Sequence, residues 1–309
     1  MSTTEDPPPR PVPEAYRHLV DDAAIFPPAD APLPQAARAH RRHLTAPYGE
    51  LVGGFVVSDV RLPDLIEVLR EDPGDPLAVN LVVTGGAGAL GPAVRWADRT
   101  EELDLRSLEI ALRDETDLAH NARRMVTALD QLLSAGELAE DVPVYVEPPR
   151  LFDRPPSHSW LEALDELAAT DLRLKFRTGG LSADAFPEAT ELATCLEATL
   201  DRELRFKCTA GLHHALRHRA PDTGFEHHGF LNVLLATRAS LDGDGAEAVA
   251  AVLELAAPAA VVALLDEAGT DRVLSARRWF TSFGSCSVRE PLEDLVALAL
   301  LPDLALESS

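Results

Sequence analysis

The chain has 309 residues, of which 46% are hydrophobic, and its formal net charge is -23 at pH 7. This length and apolar fraction suffice for a full hydrophobic core, either of one α/β barrel or of two ordinary domains. The negative charge repels phosphate backbones and anionic lipids, which argues against nucleic acid or a membrane surface as a partner. We therefore expect a small molecule as the partner.

Three cysteines, Cys195, Cys208 and Cys286, are widely separated and form no Cys-x-x-Cys pair. Such usage is typical of a reducing compartment and indicates neither a disulfide framework nor a thiolate zinc site. The N-terminal residues lack the pattern of a signal peptide, and no apolar run is long enough to span a membrane. We expect a cytoplasmic protein, whose oligomeric state the composition leaves open.

Residues 1–13 are polar and rich in proline, which predicts a disordered tail. Residues 14–309 contain no Gly/Ser linker and are predicted to form one domain. In that domain, eight short β-rich runs alternate with amphipathic helical stretches, which is the pattern of repeated βα units. We predict an α/β fold, a TIM-type (β/α)8 barrel with a helical insertion, broken at Pro258, before the last strand. The predicted strands are residues 53–57, 79–84, 107–112, 143–147, 172–177, 204–209, 229–235 and 279–282.

Two of these runs alternate between apolar and cationic side chains, RLKFR at 173–177 and RFKCT at 205–209. Successive side chains of a strand point to opposite faces, so the cations share one face. A barrel accepts polar groups inside, whereas a central strand of an open sheet between helices is apolar on both faces. The alternation therefore favours a barrel with a polar interior. The same rule turns further polar residues inward: Asn80, Thr84, Glu109, Tyr145 and Glu147.

The main candidate site lies where these two strands end, in KFRTGG at 175–180 and KCTAG at 207–211. Adjacent parallel strands would aim Lys175, Arg177 and Lys207 at the mouth where barrel enzymes place their active sites. We predict that Arg177 and one lysine bind a carboxylate or phosphate, and that Lys207 is an amine nucleophile or a general base. That role depends on a pKa lowered by burial and by a neighbouring cation. Glu147 is its candidate acid/base partner.

A structural alternative for the same residues is an interior ion-pair network without chemistry. In that network Arg173 and Lys175 would face Glu109 and Glu147, and the pairing would serve packing specificity.

The turn SFGSCS at 282–287 follows the last predicted strand and is small and rich in hydroxyl groups. Loops after the last strands of a barrel often bind phosphate, so Gly284, Ser285 and Ser287 are candidates to hold an anion. An ordinary helix N-cap is the alternative. No Gly-x-Ser-x-Gly elbow is present, and no local signature supports a nucleophilic Cys286.

Histidines concentrate between residues 213 and 228, which suggests a divalent metal as an alternative cofactor. The candidate metal ligands are His213, His214, His227, His228 and Glu226. Their spacing matches neither His-x-His nor His-Glu-x-x-His. The other interpretation is that His213 lines the site as an acid/base group while most of the remaining histidines are solvated.

A Gly-x-Gly-x-x-Gly pattern at 86–91 follows a predicted strand and matches the dinucleotide fingerprint. It lacks an acidic strand end at the usual distance, and glycine-rich βα loops also occur in barrels. We therefore expect no organic cofactor.

The segments DDAAIFPPA, KFRTGG, KCTAGLHH, HHGFLN and SFGSCSVREPLEDL span nearly the whole chain. Together they resemble a family of uncharacterised bacterial proteins, which implies no activity. More distantly, the strands ending Lys-x-x-Thr-Gly and Lys-x-x-Ala-Gly resemble the lysine strands of class I, Schiff-base aldolases of the deoxyribose-phosphate type. That resemblance implies an imine at Lys207 with Lys175 as the second lysine, while Arg177 has no counterpart there.

Three functional hypotheses follow. The first is a lyase, aldolase or isomerase acting on a small anionic carbonyl compound, with Lys207 as amine or base. The second is a divalent-metal-dependent enzyme, and the third is a non-catalytic protein that binds an anionic metabolite. The candidate catalytic residues are Lys207, Lys175, Glu147 and His213. The candidate substrate-binding residues are Arg177, Thr178, Gly179, Gly180, Thr209, Asn232, Gly284, Ser285 and Ser287.

Overall fold

Eight parallel strands close into a barrel in the computed structural model, which describes residues 12–113, 116–152 and 154–302. The barrel strands are Val20–Asp22 (β1), Val52–Ser58 (β2), Leu77–Val83 (β3), Leu103–Ala111 (β4), Val144–Glu147 (β5), Arg173–Arg177 (β6), Phe206–Thr209 (β7) and Phe280–Ser285 (β10). Consecutive strands pair from β1 to β7, and β10 lies between β7 and β1 to close the ring. The predicted TIM-type (β/α)8 fold is confirmed.

Helices follow every barrel strand and pack on the outside of the barrel, where apolar side chains of strands and helices form one core. The helices are Leu33–Thr45 (α1), Leu62–Glu71 (α2), Ala87–Asp98 (α3), Leu118–Ser134 (α4), His158–Ala168 (α5), Ala189–Leu200 (α6), Phe230–Leu241 (α7), Ala246–Leu253 (α8), Pro258–Arg277 (α9) and Arg289–Ala297 (α10). The predicted helical insertion lies between β7 and β10, and its break falls at Pro258, where α9 begins. A hairpin of His218–Arg219 (β8) and Glu226–His227 (β9) precedes α7.

The prediction of a strand at residues 229–235 is wrong, because this stretch forms the first half of α7. Residues 230–236 are buried on all sides of the helix, so their sequence is apolar without helical periodicity. A short continuous apolar run cannot be assigned to helix or strand by periodicity alone. The eighth barrel strand is β1, whose three residues Val20, Asp21 and Asp22 carry no recognisable strand pattern.

The predicted tail reaches residue 13, and its residues 1–11 lie outside the described residues. Val12 is buried, and residues Glu14–Tyr16 form a turn of 3-10 helix. Within the described ranges, no helix combines the length and apolarity needed to cross a membrane.

The register of the strands brings the predicted site residues to one end of the barrel. Lys175 on β6 lies beside Lys207 on β7, and Arg177 lies beside Thr209. Thr209 in turn lies beside Gly284 on β10. Because all eight strands are parallel, the loops that follow them meet at the same mouth, where barrel enzymes build their sites.

Candidate active site

A cavity of about 430 Å³ opens at the carboxyl ends of the strands. Its wall is apolar on the side of the loop after β1, where Phe26 and Pro27 contribute, and polar on the side of β6, β7 and β10. The charged and polar side chains of the wall are Glu109, Lys175, Arg177, Thr209, His213 and Cys286. An apolar pocket with a few convergent polar groups is the usual form of a small-molecule site.

Lys207 lies below this cavity and is almost completely buried, with 1% of its side chain exposed. Its Nζ atom donates to Asp21 Oδ2 and to Glu109 Oε1, both at 2.6 Å. Asp21 is held in turn by Ser282 Oγ at 2.7 Å and by the Gly54 N–H at 3.2 Å. The ammonium group is therefore enclosed by two carboxylates from β1 and β4.

Lys175 continues the network toward the cavity. Its Nζ atom lies 3.1 Å from Glu109 Oε2 and 2.9 Å from Glu147 Oε2. Glu147 Oε1 accepts a hydrogen bond of 3.0 Å from Arg177 Nε. The chain of charges thus runs from the buried Lys207 to Arg177, whose side chain is 45% exposed.

Electrostatics in this network keep both lysines protonated. Burial alone would lower the pKa of Lys207, but the charges of Asp21 and Glu109 outweigh it and raise that pKa. The pKa of Lys175 is raised in the same way by Glu109 and Glu147. The expectation of a lowered lysine pKa is therefore wrong, because the neighbours that decide it are carboxylates from β1, β4 and β5 rather than the other cations.

The pKa values of the neighbouring carboxylates are lowered. Burial would raise the pKa of Glu109, but Lys207 and Lys175 lower it to about 2. Lys175 and Arg177 likewise overcome burial and lower the pKa of Glu147. Glu109 and Glu147 are therefore ionised at neutral pH and weakly basic.

The interior ion-pair alternative is thus present in part. Lys175 pairs with both glutamates as that alternative requires, but Arg173 does not. Arg173 Nη1 donates to Tyr145 Oη at 3.0 Å, and Tyr145 Oη lies 2.9 Å from Thr281 Oγ1.

Beyond β6, two consecutive glycines lie at the mouth. Gly179 and Gly180 line the cavity, and their N–H groups donate no hydrogen bond within the described part of the chain. Gly179 is required for packing, because an added Cβ would lie 2.7 Å from Gly211 Cα in the loop after β7. Thr178 is buried away from the cavity, where its hydroxyl bonds to the Ala210 carbonyl at 2.5 Å and joins the two loops.

His213 and Cys286 meet at the edge of the cavity between the loops after β7 and β10. Cys286 Sγ lies 3.6 Å from His213 Nε2 and 3.8 Å from Nδ1. His213 Nδ1 is 2.8 Å from Glu290 Oε2 in the first turn of α10. Burial would lower the pKa of His213, but its hydrogen bonds to Cys286 and Glu290 raise it to about 9. The imidazole is accordingly protonated at neutral pH.

The other predicted metal ligands have separate partners. His214 Nδ1 lies 3.1 Å from Asp294 Oδ2, and His227 Nδ1 lies 3.2 Å from the Gly211 carbonyl. His228 is buried against the Pro187 carbonyl at 2.8 Å, and burial lowers its pKa to about 4. Glu226 lies near arginines instead. Among the residues that the structure describes, no three His, Cys, Asp or Glu side chains form a group that could hold a metal ion.

Asn232 does not point into the barrel, because it lies on α7 rather than on a strand. Its Oδ1 accepts from the Arg217 N–H at 2.9 Å, and its Nδ2 donates to the Val252 and Leu255 carbonyls. Asn232 therefore ties the hairpin loop to the end of α8. Thr84 was also expected inside, but it is exposed and bonds to Asp59.

The turn after β10 matches the capping alternative. Ser285 Oγ donates to the Ser287 carbonyl at 2.8 Å, and Ser287 Oγ accepts from the Glu290 N–H at 3.2 Å. This is the hydrogen bonding of a helix start. Gly284, by contrast, lines the cavity.

The sequence left open whether the segment of Asp21 and Asp22 closes one end of the barrel or contributes a carboxylate to the site, and it gave Glu290 no role. In the structure Asp21 contributes a carboxylate to Lys207, while Asp22 Oδ2 accepts a hydrogen bond of 3.0 Å from His40 Nδ1. The sequence did not show which strand the acidic pair occupies. Glu290 carried no signal, because an acidic residue in a first helical turn is common.

Comparison with models of known protein families finds no match to this sequence. Comparison with curated proteins finds no match either.

Proposed function

We propose that this barrel is an enzyme of lyase or isomerase type that acts on a small anionic carbonyl compound bound in the mouth cavity. The proposal rests on the charged groups that line the wall of that cavity. Among the described residues that line it, Lys175, Arg177 and His213 are protonated and Glu109 is a carboxylate. Three potential donors to an anion therefore lie in the cavity wall, although Glu147 and Glu290 pair with them.

Arg177 is suited to bind the carboxylate or phosphate of the substrate. Its Nε is bonded to Glu147, which fixes the guanidinium plane, and 45% of its side chain remains exposed. A guanidinium presents donors in a fork that matches a carboxylate or phosphate. The N–H groups of Gly179 and Gly180 at the same wall would complete the anion site.

Lys175 and His213 are suited to the carbonyl group. Both are protonated at neutral pH, so each can donate a hydrogen bond to an oxygen that gains negative charge. Preorganised donors aimed at such an oxygen are a large source of catalysis. This favours carbon–carbon bond cleavage or enolisation, in which electrons move onto the carbonyl oxygen, and His213 would return a proton as general acid.

In this proposal Lys207 acts through its charge. An imine mechanism needs a neutral amine in contact with the substrate, whereas Lys207 is buried between Asp21 and Glu109. As a buried cation it holds Glu109 in position, and Glu109 then orients Lys175. Lys207 and Glu147 are thus positioning residues, and Lys175 replaces Lys207 as the lysine that contacts the substrate.

The test of the proposed reaction is incubation in D₂O with a panel of keto acids, anionic aldehydes and sugar phosphates, followed by NMR. We expect at least one compound to be cleaved or to exchange an α-proton for deuterium. Arg177→Gln should slow this reaction at least tenfold, as expected for the loss of a charge-assisted contact. Binding without turnover would mean a non-catalytic metabolite-binding protein, and turnover that is unaffected by Arg177→Gln would place the reaction elsewhere.

Borohydride trapping with the same panel separates the two lysine mechanisms. We expect no reduced adduct on Lys207 by intact mass and peptide mapping, because a protonated amine does not add to a carbonyl. An adduct on Lys207 would restore the imine mechanism that the aldolase resemblance implies.

A further inference from the structure

The thiol of Cys286 lies in the wall of the mouth cavity, immediately after the last residue of β10. It differs from the other two cysteines, since Cys195 and Cys208 are buried while Cys286 is partly exposed. Burial raises the pKa of both buried thiols and makes them unreactive. Cys286 is therefore the thiol that a small molecule in the cavity can reach.

The fold places a histidine next to this thiol and a carboxylate next to that histidine. Strands β7 and β10 are neighbours, with Thr209 beside Gly284, so the loops that follow them touch. His213 Nε2 and Nδ1 in the first loop lie 3.6 Å and 3.8 Å from Cys286 Sγ, and Nδ1 also lies 2.8 Å from Glu290 Oε2. The thiol and the carboxylate thus both contact the imidazole, as in a cysteine whose base is held in place by a third group.

Two positively charged features lie beside this thiol. The imidazolium of His213 is one, because the raised pKa of His213 keeps the ring protonated. The other is the N-terminus of α10, a helix of nine residues that begins three residues after Cys286. Ser287 Oγ accepts the Glu290 N–H in that first turn, and the Glu290 carboxylate contacts His213 Nδ1.

We propose that Cys286 is a nucleophile of this cavity, with His213 as its acid/base partner and Glu290 as a positioning residue, and that its electrophile is a small anionic aldehyde. The choice of an anionic aldehyde rests on the proposed function, because Arg177 in the same wall would bind the anionic group. The activated thiol itself rests on the contacts with His213 and Glu290 and does not depend on that function.

The addition balances without a further reactant. The electron pair of the Cys286 thiolate forms the bond from Sγ to the carbonyl carbon, and the π electrons of the carbonyl move onto its oxygen. That oxygen takes a proton from the His213 imidazolium, which leaves a neutral imidazole and a thiohemiacetal. The reverse sequence releases the aldehyde and restores the ion pair, so the adduct is reversible and involves no change of oxidation state.

The experiment is alkylation of the full-length protein with iodoacetamide at neutral pH, followed by intact mass and peptide mapping. The proposed activation by His213 predicts that Cys286 reacts about tenfold faster than glutathione, a free thiol that is only a few per cent ionised at this pH. Cys195 and Cys208 are internal controls that should stay unmodified. His213→Gln should slow alkylation of Cys286 about tenfold, and Glu290→Gln should slow it less, with recovery in Glu290→Asp.

His158→Gln is the matched control, since His158 is an exposed histidine at the start of α5, and it should leave the rate unchanged. The ultraviolet absorbance of a thiolate, present in the wild type and lost in Cys286→Ser, is a second readout that does not require the His213 variant to fold. Cys286 that reacts no faster than glutathione, or a rate that His213→Gln and Glu290→Gln leave unchanged, would overturn the activated thiol.

The electrophile is tested with glyoxylate as the probe. It should protect Cys286 from iodoacetamide in the wild type, and the protection should weaken in Arg177→Gln. If Cys286 reacts fast with iodoacetamide but glyoxylate does not protect it, the aldehyde assignment is overturned and the activated thiol is not. Because alkylation needs no substrate, its result stands whether or not any compound of the NMR panel is turned over.

Discussion

Glu109 is the residue on which both buried lysines depend, since its two oxygens accept from Lys207 and Lys175. Removing one partner of a buried ion pair costs more than the pair contributes, because the other charge stays buried without compensation. We expect Glu109→Gln to lower the free energy of unfolding by about 3 kcal/mol or more. Urea denaturation measures this, with Glu67→Gln on the exposed face of α2 as the control.

Glu67→Gln should change the stability by less than about 0.5 kcal/mol. Equal effects of the two variants would contradict the buried network.

The same residue predicts how stability depends on pH. The pKa of Glu109 is lowered from 4.5 to about 2 in the folded protein, so the unfolded chain binds more protons in acid. The contribution of Glu109 is therefore complete above pH 4.5 and is lost as the pH falls through about 2. We expect the difference in unfolding free energy between the wild type and Glu109→Gln to be constant near neutrality and to shrink below pH 4.5. A difference that grew on acidification would contradict a lowered pKa of Glu109 in the folded protein.

At the scale of elements, the loops after β6 and β7 depend on two glycines in backbone contact. A Cβ at Gly179 would lie 2.7 Å from Gly211 Cα and 2.8 Å from the ring of Phe186. We expect Gly179→Ala to destabilise the protein by about 1–3 kcal/mol, as overpacking does, and to weaken ligand binding at the mouth.

Gly88→Ala is the control for this substitution. Gly88 lies in the first turn of α3, where an added Cβ meets nothing within 4 Å. Alanine is the better helix former, so this variant should be as stable as the wild type or slightly more stable. Thermal unfolding compares the two, and a similar loss in both would indicate a general effect of replacing glycine.

Seven barrel strands could be predicted from the sequence, whereas β1 and the helical nature of residues 229–235 could not. In β6 the cations of RLKFR mark the inner face, so the polar interior and the positions of Lys175 and Arg177 followed from period-2 alternation. In α7 the apolar side chains cover all sides of a buried helix, and in β1 three residues are too few for a pattern. Tertiary packing, and not a local sequence pattern, determines the secondary structure of both segments.

Across the whole molecule, the site combines side chains from six strands and the loops beyond them. The sequence showed which residues carry charge, but the pKa of Lys207 depends on Asp21 and Glu109, which lie 186 and 98 residues away along the chain. Contact between Cys286 and His213 depends in the same way on the order in which β7 and β10 close the barrel. Pairings over such distances follow from topology and not from local spacing.

The proposed reaction requires that an anionic ligand binds at the barrel mouth. Isothermal titration calorimetry of the panel compounds, with wild type and Arg177→Gln, measures this binding. We expect a carboxylate- or phosphate-bearing carbonyl compound to bind, and Arg177→Gln to weaken its affinity by about tenfold to a hundredfold, the loss of one or two charge-assisted hydrogen bonds. Arg70→Gln, which alters an exposed arginine of α2, should leave the affinity unchanged. Equal affinity in wild type and Arg177→Gln would contradict an anion site at the barrel mouth.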